Sequence, residues 1–189
     1  MNKLDVRRAV IHALICALII LISMQTRIVW HLFFLLVLGL ILSVISKSYN
    51  IPVINWFLRN FEKPRYLKKF PGKGLLFLIA GSLLVLKLFP NNIAFASIAI
   101  VAAGDPISHI VAGNFKGKLL KKKSLSGFLL GVVISSMIAS LFVPFAYAFA
   151  ASILALTAEI LVIKLGEDPI DDNIIVPLVA GTIIYLLMP

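Results

Sequence analysis

Residues 93–113 read IAFASIAIVAAGDPISHIVAG, a run that is almost wholly apolar up to Gly104. A helix needs about 20 apolar residues to cross the hydrocarbon core of a bilayer, so this stretch is typical of a transmembrane helix. Asp105 lies inside it, and a carboxylate in hydrocarbon costs at least about 2.5–3.5 kcal/mol. We therefore expect Asp105 to face the protein interior or a water-filled cavity. Because Pro106 removes a backbone donor and disfavours helix at the preceding residue, we also predict that the helix is interrupted there.

The rest of the chain has the same apolar character. Hydrophobic residues make up 61% of it, charged residues 14%, and the mean hydropathy is +1.06. Soluble domains carry about a quarter charged residues. Further apolar runs occupy residues 9–24, 28–46, 74–89, 127–143, 145–165 and 173–188. The sequence therefore predicts an all-α, polytopic membrane protein of about seven transmembrane helices, forming a single domain over residues 1–189.

The lysines and arginines predict the orientation of these helices. With seven spans, 16 of the 18 fall at the N-terminus and in the second, fourth and sixth connections, and only Arg27 and Lys87 lie on the other side. Membrane proteins collect Lys and Arg on their cytoplasmic side. The N-terminus is therefore predicted to be cytoplasmic and the C-terminus outside, in a prokaryotic cell membrane or, in a eukaryote, the endoplasmic reticulum. The same rule explains the net charge of +10, so no nucleic-acid partner is expected.

The second connection contains an amphipathic segment at residues 53–61. Its apolar residues share one face at helical spacing. They are Val53, Ile54, Phe57, Leu58 and Phe61. Polar residues, among them Arg59, fill the opposite face, and Glu62 follows. We therefore predict a helix that lies in the headgroup plane of the membrane.

Charged groups in two other connections suggest an anion site. The fourth connection is rich in glycine and lysine, which favours anion binding, although a solvated cytoplasmic loop has the same composition. The sixth connection carries Glu167, Asp168, Asp171 and Asp172. Because Mg²⁺ takes one or two carboxylates together with substrate phosphates, the two connections suit a magnesium–polyphosphate site. A hydrophilic turn is the alternative interpretation of the acidic connection.

Three further patterns concern the apolar runs themselves. Glu159 lies within one of them and is expected to face inward, as Asp105 is. Two histidines lie four residues after a charged residue and share its helical face, although an ordinary core histidine is the commoner case: His12 after Arg8, and His109 after Asp105. Small residues at four-residue steps predict close helix packing and need no function: Gly127, Gly131 and Ser135.

Taken in order along the chain, these residues resemble the CTP-dependent lipid-alcohol kinases, a family that includes dolichol kinase, phytol kinase and the CTP-using diacylglycerol kinase of yeast. The matching patterns run nearly from end to end. They are Arg8-x-x-x-His12, Arg59-x-x-Glu62, Gly104-Asp105, Gly113-x-x-x-Gly117-Lys118, Lys123-Ser124 with Gly127, Glu159, and Asp172-Asn173-x-x-x-Pro177 with Gly181.

The resemblance implies a kinase that transfers the γ-phosphoryl group of CTP, with Mg²⁺, to a membrane lipid alcohol at the cytoplasmic face. The alcohol would be a polyprenol, dolichol or related isoprenoid alcohol, or else diacylglycerol. The expected catalytic residues and magnesium ligands are Asp105, Glu159 and Asp172. The expected nucleotide-binding residues are Gly113, Gly117, Lys118, Lys123, Ser124, Gly127 and Asn173. The residues expected on the lipid or headgroup side are Arg8, His12, His109, Arg59 and Glu62.

Three other functions fit parts of the pattern. The central stretch is also similar to that of the phosphatidate cytidylyltransferases, but their C-terminal signature, with a Lys-Asp and a glycine-rich Asp-Arg segment, is missing here. A small transporter could use Asp105 and Glu159 to line an ion path, but it would need polar groups in both halves of the membrane, and the outer connections are nearly featureless. A non-catalytic assembly partner would tolerate replacement of the motif lysines. We therefore favour the kinase.

Overall fold

The computed structural model of the chain describes residues 3–25, 28–62, 64–112, 118–120, 123–161, 164–165 and 168–188. These residues form nine α-helices and two pairs of short antiparallel strands. The helices are α1 (Lys3–Gln25), α2 (Val29–Ser48), α3 (Pro52–Phe61), α4 (Pro64–Lys69), α5 (Lys73–Leu88), α6 (Asn91–Ala112), α7 (Leu125–Ala139), α8 (Phe145–Leu161) and α9 (Asp172–Leu187). The strands are β1 (Lys118–Leu120), β2 (Lys123–Ser124), β3 (Lys164–Leu165) and β4 (Asp168–Pro169). The prediction of a helical protein is confirmed, and the two small hairpins are an addition to it.

Two of the described helices are long and apolar enough to cross a membrane. The qualifying segments are Val6–Gln25 in α1 and Val29–Ser48 in α2. Shorter apolar helices occupy Asn91–Gly104, Leu125–Ala139, Phe145–Leu161 and Asp172–Leu187. Only 22% of the α1 segment and 11% of the α2 segment is buried. α1 and α2 therefore lie at the periphery of a core formed by the shorter helices.

α5 and α9 run side by side in the same direction. A β carbon on Gly81 of α5 would meet the backbone carbonyl of Asn173, and one on Gly181 of α9 would meet the ring of Phe89 at 2.5 Å. From the first contact to the second, the position on α5 advances from 81 to 89 and the position on α9 from 173 to 181, so the helices are parallel. The missing side chains allow the close approach. Ser97 lies 3.1 Å from the same β-carbon position on Gly181, and Asn92 Nδ2 lies 4.0 Å from Met188 Sδ, so α6 starts where α9 ends and runs antiparallel to it.

α6 also packs against α7 and α8 and forms the centre of the bundle. The rings of Phe95 and Phe142 are 5.7 Å apart at one end, and Gly104 lies against the side chain of Leu156 towards the other. α6 and α8 are therefore parallel, with α7 antiparallel between them. The small-residue stripe of α7 is buried, at Gly127, Gly131 and Ser135. The prediction that this stripe packs closely against another helix is confirmed.

The predicted interruption at Pro106 is wrong, because α6 continues through it to Ala112. Proline in a helix interior removes one backbone hydrogen bond and crowds the preceding turn. Such a residue is tolerated in a membrane helix when neighbouring helices pack around it. Pro106 is buried against such neighbours, and the buried Pro177 is accommodated in the same way within α9.

The predicted amphipathic helix is present as α3, residues Pro52–Phe61. Leu58, on its apolar face, is buried against the bundle, whereas Val53 and Trp56 are 77% and 63% exposed. The apolar stripe is therefore divided between contact with the protein and the outer surface. Its C-terminal end is attached to the start of α1, where Arg7 Nη1 donates a hydrogen bond to Asn60 Oδ1 at 3.1 Å.

Candidate active site

The helix directions bring the motif residues to one end of the bundle, which we call the polar end. α1, α5, α7 and α9 begin there, and α2, α6 and α8 end there. The end of α2 is fixed to the start of α5, because Ser43 Oγ donates a hydrogen bond of 2.7 Å to the Pro71 carbonyl. Residues from segments far apart in the sequence can therefore meet at this end.

Arg8 and Glu62 meet at the start of α5. The Nε of Arg8 donates a hydrogen bond of 3.1 Å to the carbonyl of Phe61, which is 53 residues away in sequence. The Oε2 of Glu62 accepts a hydrogen bond of 3.2 Å from the backbone N–H of Gly74, and Glu62 is only 5% exposed. A β carbon on Gly74 would lie 3.7 Å from Arg8 Nη2 and 3.8 Å from Glu62 Oε2. Both charged side chains therefore adjoin the same glycine.

Asn173 joins the start of α9 to the same place. Its Nδ2 donates to the carbonyl of Gly74 at 3.2 Å, across 99 residues of sequence, and to Asp171 Oδ1 at 2.9 Å. Asp171 is the N-cap of α9 and also accepts from the backbone N–H of Asn173 at 3.2 Å. An N-cap carboxylate satisfies a helix amide that otherwise has no partner. The predicted residue Asn173 thus lies close to Arg8 and Glu62, because all three side chains adjoin Gly74.

Lys73 is a member of this group that the motif comparison missed. Its Nζ lies 3.7 Å from Asp171 Oδ2, and the two side chains are 18% and 15% exposed. The same ammonium lies 5.0 Å from the ring centroid of Tyr66 and 5.2 Å from that of Phe77, which is within the range of cation–π attraction. Asp171 was likewise missed as a structural residue, although an aspartate just before an apolar run is a recognisable helix-start signal.

Asp105 and Glu159 are carried to the polar end by α6 and α8. Gly104 packs against Leu156, with an added β carbon only 2.7 Å from Leu156 Cδ2. Asp105 directly follows Gly104, and Glu159 lies three residues after Leu156, so the two positions are at a similar depth. Glu159 is 7% exposed, which agrees with the expectation that it faces inward. The side chains of Asp105 and His109 lie outside the described part of the structure.

Ser124 and Gly127 form the N-terminal cap of α7. The Oγ of Ser124 accepts a hydrogen bond of 3.1 Å from the backbone N–H of Gly127, and both residues are buried. This leaves the two preceding amides of the first turn without an intrahelical acceptor, as at any helix start. The positive end of the α7 dipole therefore lies at the polar end, in the position where an anion would be stabilised.

The remaining predicted residues are placed less fully. Gly113 and Gly117 lie outside the described residues, and only the backbone of Lys118 and Lys123 is described, in β1 and β2. His12 is half-buried in α1. Arg59 on α3 and Asp172 in the first turn of α9 are exposed.

Among the described residues, no three His, Cys, Asp or Glu side chains form a group that could hold a metal ion. A magnesium–nucleotide site does not require one, because substrate phosphates supply several of the ligands. The polar end therefore offers a buried carboxylate, Glu159, together with two basic side chains, Arg8 and Lys73, and the start of α7. Basic side chains and helix N-termini are groups that stabilise an anion.

No model of a known protein family matches the chain, and no solved structure matches it. The chain is 28% identical over 163 residues to CTP-dependent diacylglycerol kinase 1 of Schizosaccharomyces pombe, and the match covers 76% of this chain and 70% of that protein. The resemblance to the CTP-dependent lipid kinases, inferred above from the ordered motifs, is thereby confirmed.

Proposed function

We propose that this chain is a CTP-dependent lipid kinase, which transfers the γ-phosphoryl group of CTP to the hydroxyl group of a membrane lipid alcohol. One observation carries the proposal. Arg8, Glu62 and Asn173 belong to three separate motifs of the sequence, and their side chains converge at Gly74. Similarity along most of the chain to a CTP-dependent diacylglycerol kinase supports the same reaction class.

We propose that the protein spans the membrane seven times, as one domain over residues 1–189, with the polar end in the cytoplasm. α1, α2 and α5 to α9 would be the spans, and α3 would lie among the headgroups. α7 has 15 residues and is roughly 22 Å long, shorter than the ~30 Å hydrocarbon core, and a thinner local bilayer would accommodate it. The concentration of Lys and Arg at the polar end supports the orientation, and it would place the site where CTP is available.

In the proposed reaction the lipid hydroxyl oxygen attacks the γ-phosphorus of CTP. The bond from that phosphorus to the β–γ bridging oxygen breaks, CDP leaves, and the hydroxyl proton passes to a base. Phosphoryl transfer depends mainly on positioning and on neutralising the charge of the phosphates. One carboxylate among Asp105, Glu159 and Asp172 would accept the proton.

The triphosphate would be held at the start of α7. Lys118 and Lys123 would neutralise it, and the amides near Gly113 and Gly117 would approach it closely. Ser124 caps α7 through the N–H of Gly127, and the two preceding backbone amides of that turn would face the triphosphate. Asn173 would orient the site through its hydrogen bonds to Gly74 and Asp171.

Mg²⁺ suits this donor set, because the Gly104–Leu156 contact brings positions 105 and 159 to the same depth, and two carboxylates plus phosphate oxygens satisfy the ion. Asp105, Glu159 and Asp172 would hold it, apart from the one that serves as the base. When bound, it would neutralise charge on the β- and γ-phosphates.

Two classes of acceptor lipid are supported. The related protein of Schizosaccharomyces pombe is named for diacylglycerol, whereas the motif resemblance extends to kinases of polyprenols and other isoprenoid alcohols. We propose a lipid alcohol of one of these two classes as the substrate.

The test is a transfer assay with purified full-length protein in detergent and Mg²⁺. γ-labelled CTP and γ-labelled ATP are each supplied with diacylglycerol, a polyprenol or geranylgeraniol. We expect label to move from CTP to one lipid class, and not to move when Asp105→Asn replaces the wild type. Folded protein that labels no lipid alcohol would overturn the proposal. A parallel reaction with α-labelled CTP and phosphatidate would then detect cytidylyl transfer.

A further inference from the structure

An apolar groove lies on the outer face of the bundle between α1 and α6. Its volume is about 380 Å³, within the range of small-molecule sites. It is lined by Ala9, Val10, Ala13, Ala17 and Ile20 of α1, by Ala99, Ala102, Ala103, Pro106 and Ile107 of α6, and by Ile138 of α7. Six of these eleven residues are alanines, three on each helix, and their short side chains leave the space open.

The groove opens towards the lipid. Val10 is 51% exposed and Ile138 is 39% exposed, and Ala17 is also exposed. Along α1 the groove runs from Ala9 to Ile20, a distance of roughly 16 Å at the helical rise. Half of the hydrocarbon core of a bilayer is about 15 Å thick. The groove therefore has the length of the hydrocarbon layer of one leaflet.

One end of the groove begins at the candidate active site. On α1, Ala9 directly follows Arg8, whose side chain bonds to the Phe61 carbonyl beside Gly74. On α6, which runs in the opposite direction, the lining residues extend from Ala99 to Ile107, and Asp105 lies within that span, next to Pro106. The apolar surface thus adjoins a charged motif residue on each of the two helices. A molecule that lies in the groove would bring its polar end to the polar end of the bundle.

We propose that this groove binds one hydrocarbon chain of the acceptor lipid and so holds its hydroxyl group at the depth of Asp105. The chemical class of the occupant follows from the described lining residues, none of which has a charged or hydrogen-bonding side chain. Which lipid alcohol occupies it rests on the proposed function. Phospholipids of the surrounding bilayer and the helix of a second copy are the competing occupants, and both are tested below.

The experiment uses full-length protein in nanodiscs and a diacylglycerol that carries a photoreactive diazirine midway along one acyl chain. After irradiation, mass spectrometry identifies the labelled peptides. We expect label on α1 and α6, displaced by unlabelled diacylglycerol. A phosphatidylcholine with the same photoreactive chain should label these peptides about tenfold less. Equal labelling by the two lipids, labelling elsewhere, or cross-linking between two copies would overturn the proposal.

Groove-filling variants test the same site by kinetics. Ala13→Leu places extra side-chain atoms in the groove, and Ala102→Leu does so from the opposite wall if the first variant does not fold. We expect either to lower the labelling and to raise the KM for a long-chain diacylglycerol about tenfold, with the KM for CTP unchanged. Leu14→Phe is the matched control, because Leu14 is 59% exposed and does not line the groove. An unchanged KM in both groove variants would overturn the proposal.

The two proposals fail separately. Wild-type protein that phosphorylates the lipid but is labelled outside the groove would overturn the groove alone. Wild-type protein that phosphorylates no lipid, yet is labelled selectively on α1 and α6, would support the groove and overturn the kinase.

Discussion

Lys73 connects the start of α5 to the start of α9. Its ammonium group lies near Asp171 and over the rings of Tyr66 and Phe77, in a part of the molecule that also contains Asn173. The ammonium group of Lys73 therefore holds Asp171, the N-cap of α9, close to the start of α5, where Gly74 follows Lys73. We interpret Lys73 as a positioning residue, which acts on the site through Asp171 and Asn173.

Replacement of Lys73 by methionine tests this role. Lys73→Met keeps an unbranched side chain, shorter only by the ammonium nitrogen, and an attractive contact with the two rings, but it removes the charge beside Asp171. Because the pair is partly exposed, we expect stability to fall by no more than about 1 kcal/mol. We expect kcat to fall about tenfold while the KM for the lipid stays constant. Lys69→Met, at an exposed position of α4, is the control, and equal kinetics in the two variants would contradict the assignment.

Asp171 and Asp172 are adjacent but are expected to differ in function. Asp171 caps α9, whereas Asp172 is exposed at the polar end and is a proposed magnesium ligand. We expect Asp171→Ala to lower stability by about 1 kcal/mol through loss of the cap, and to lower kcat as Lys73→Met does, without changing the Mg²⁺ requirement. We expect Asp172→Asn to lower stability less than Asp171→Ala does, to reduce kcat at least tenfold and to raise the Mg²⁺ concentration required for half-maximal rate. Thermal unfolding in detergent and magnesium titrations measure the two effects, and the reverse pattern would exchange the roles.

At the scale of elements, the parallel packing of α5 and α9 depends, on the side nearer the candidate site, on Gly81. A β carbon on Gly81 would meet the backbone carbonyl of Asn173, which cannot move without shifting the start of α9. The candidate site therefore depends on a helix contact about two turns away from Gly74.

Alanine variants at two glycines measure how much this contact contributes to stability. Gly81→Ala is expected to destabilise the protein by about 1–3 kcal/mol, because backbone must shift, and to reduce kcat by displacing Asn173. Gly39→Ala on α2 is the matched control. There the new β carbon would meet only a terminal methyl group of Leu76, which can rotate away. Unfolding midpoints that fall equally in the two variants would contradict the special role of the α5–α9 contact.

At the scale of the whole molecule, the position of the polar end relative to the membrane can be measured directly. Cys16 is buried with 0% exposure, so the native chain provides an unreactive background for cysteine labelling. Lys69 lies in α4 near the polar end, and Leu141, between α7 and α8, is 76% exposed at the other end. With seven spans and a cytoplasmic N-terminus, these two positions are on opposite sides of the membrane.

We expect a membrane-impermeant maleimide to label the Leu141→Cys variant in intact cells and the Lys69→Cys variant only after the membrane is opened. The positive-inside distribution of charge is the physical reason. Labelling of both variants from the same side would contradict the seven-span topology. A permeant maleimide that labels both variants controls for the reactivity of the introduced thiols.

The amino-acid sequence alone determined the helical class and most helix positions, because the lengths of apolar runs depend on the solvent and not on tertiary contacts. It also predicted the buried stripe at Gly127, Gly131 and Ser135. The ordered motifs predicted the resemblance to the CTP-dependent lipid kinases, which the similarity to a diacylglycerol kinase confirms. It failed at Pro106, because local backbone rules do not include the neighbouring helices that support a proline. It did not predict the short hairpins, whose strands are too short to carry a period.

Only the tertiary structure decided which motif residues meet. Arg8, Glu62 and Asn173 could each have been assigned from sequence to the polar end, but their shared contact with Gly74 depends on the side-by-side packing of α1, α5 and α9. The role of Lys73 and the groove between α1 and α6 also became visible only in the tertiary structure. A sequence pattern records which face of one helix is apolar, whereas distances between helices arise from packing among residues distant in the chain.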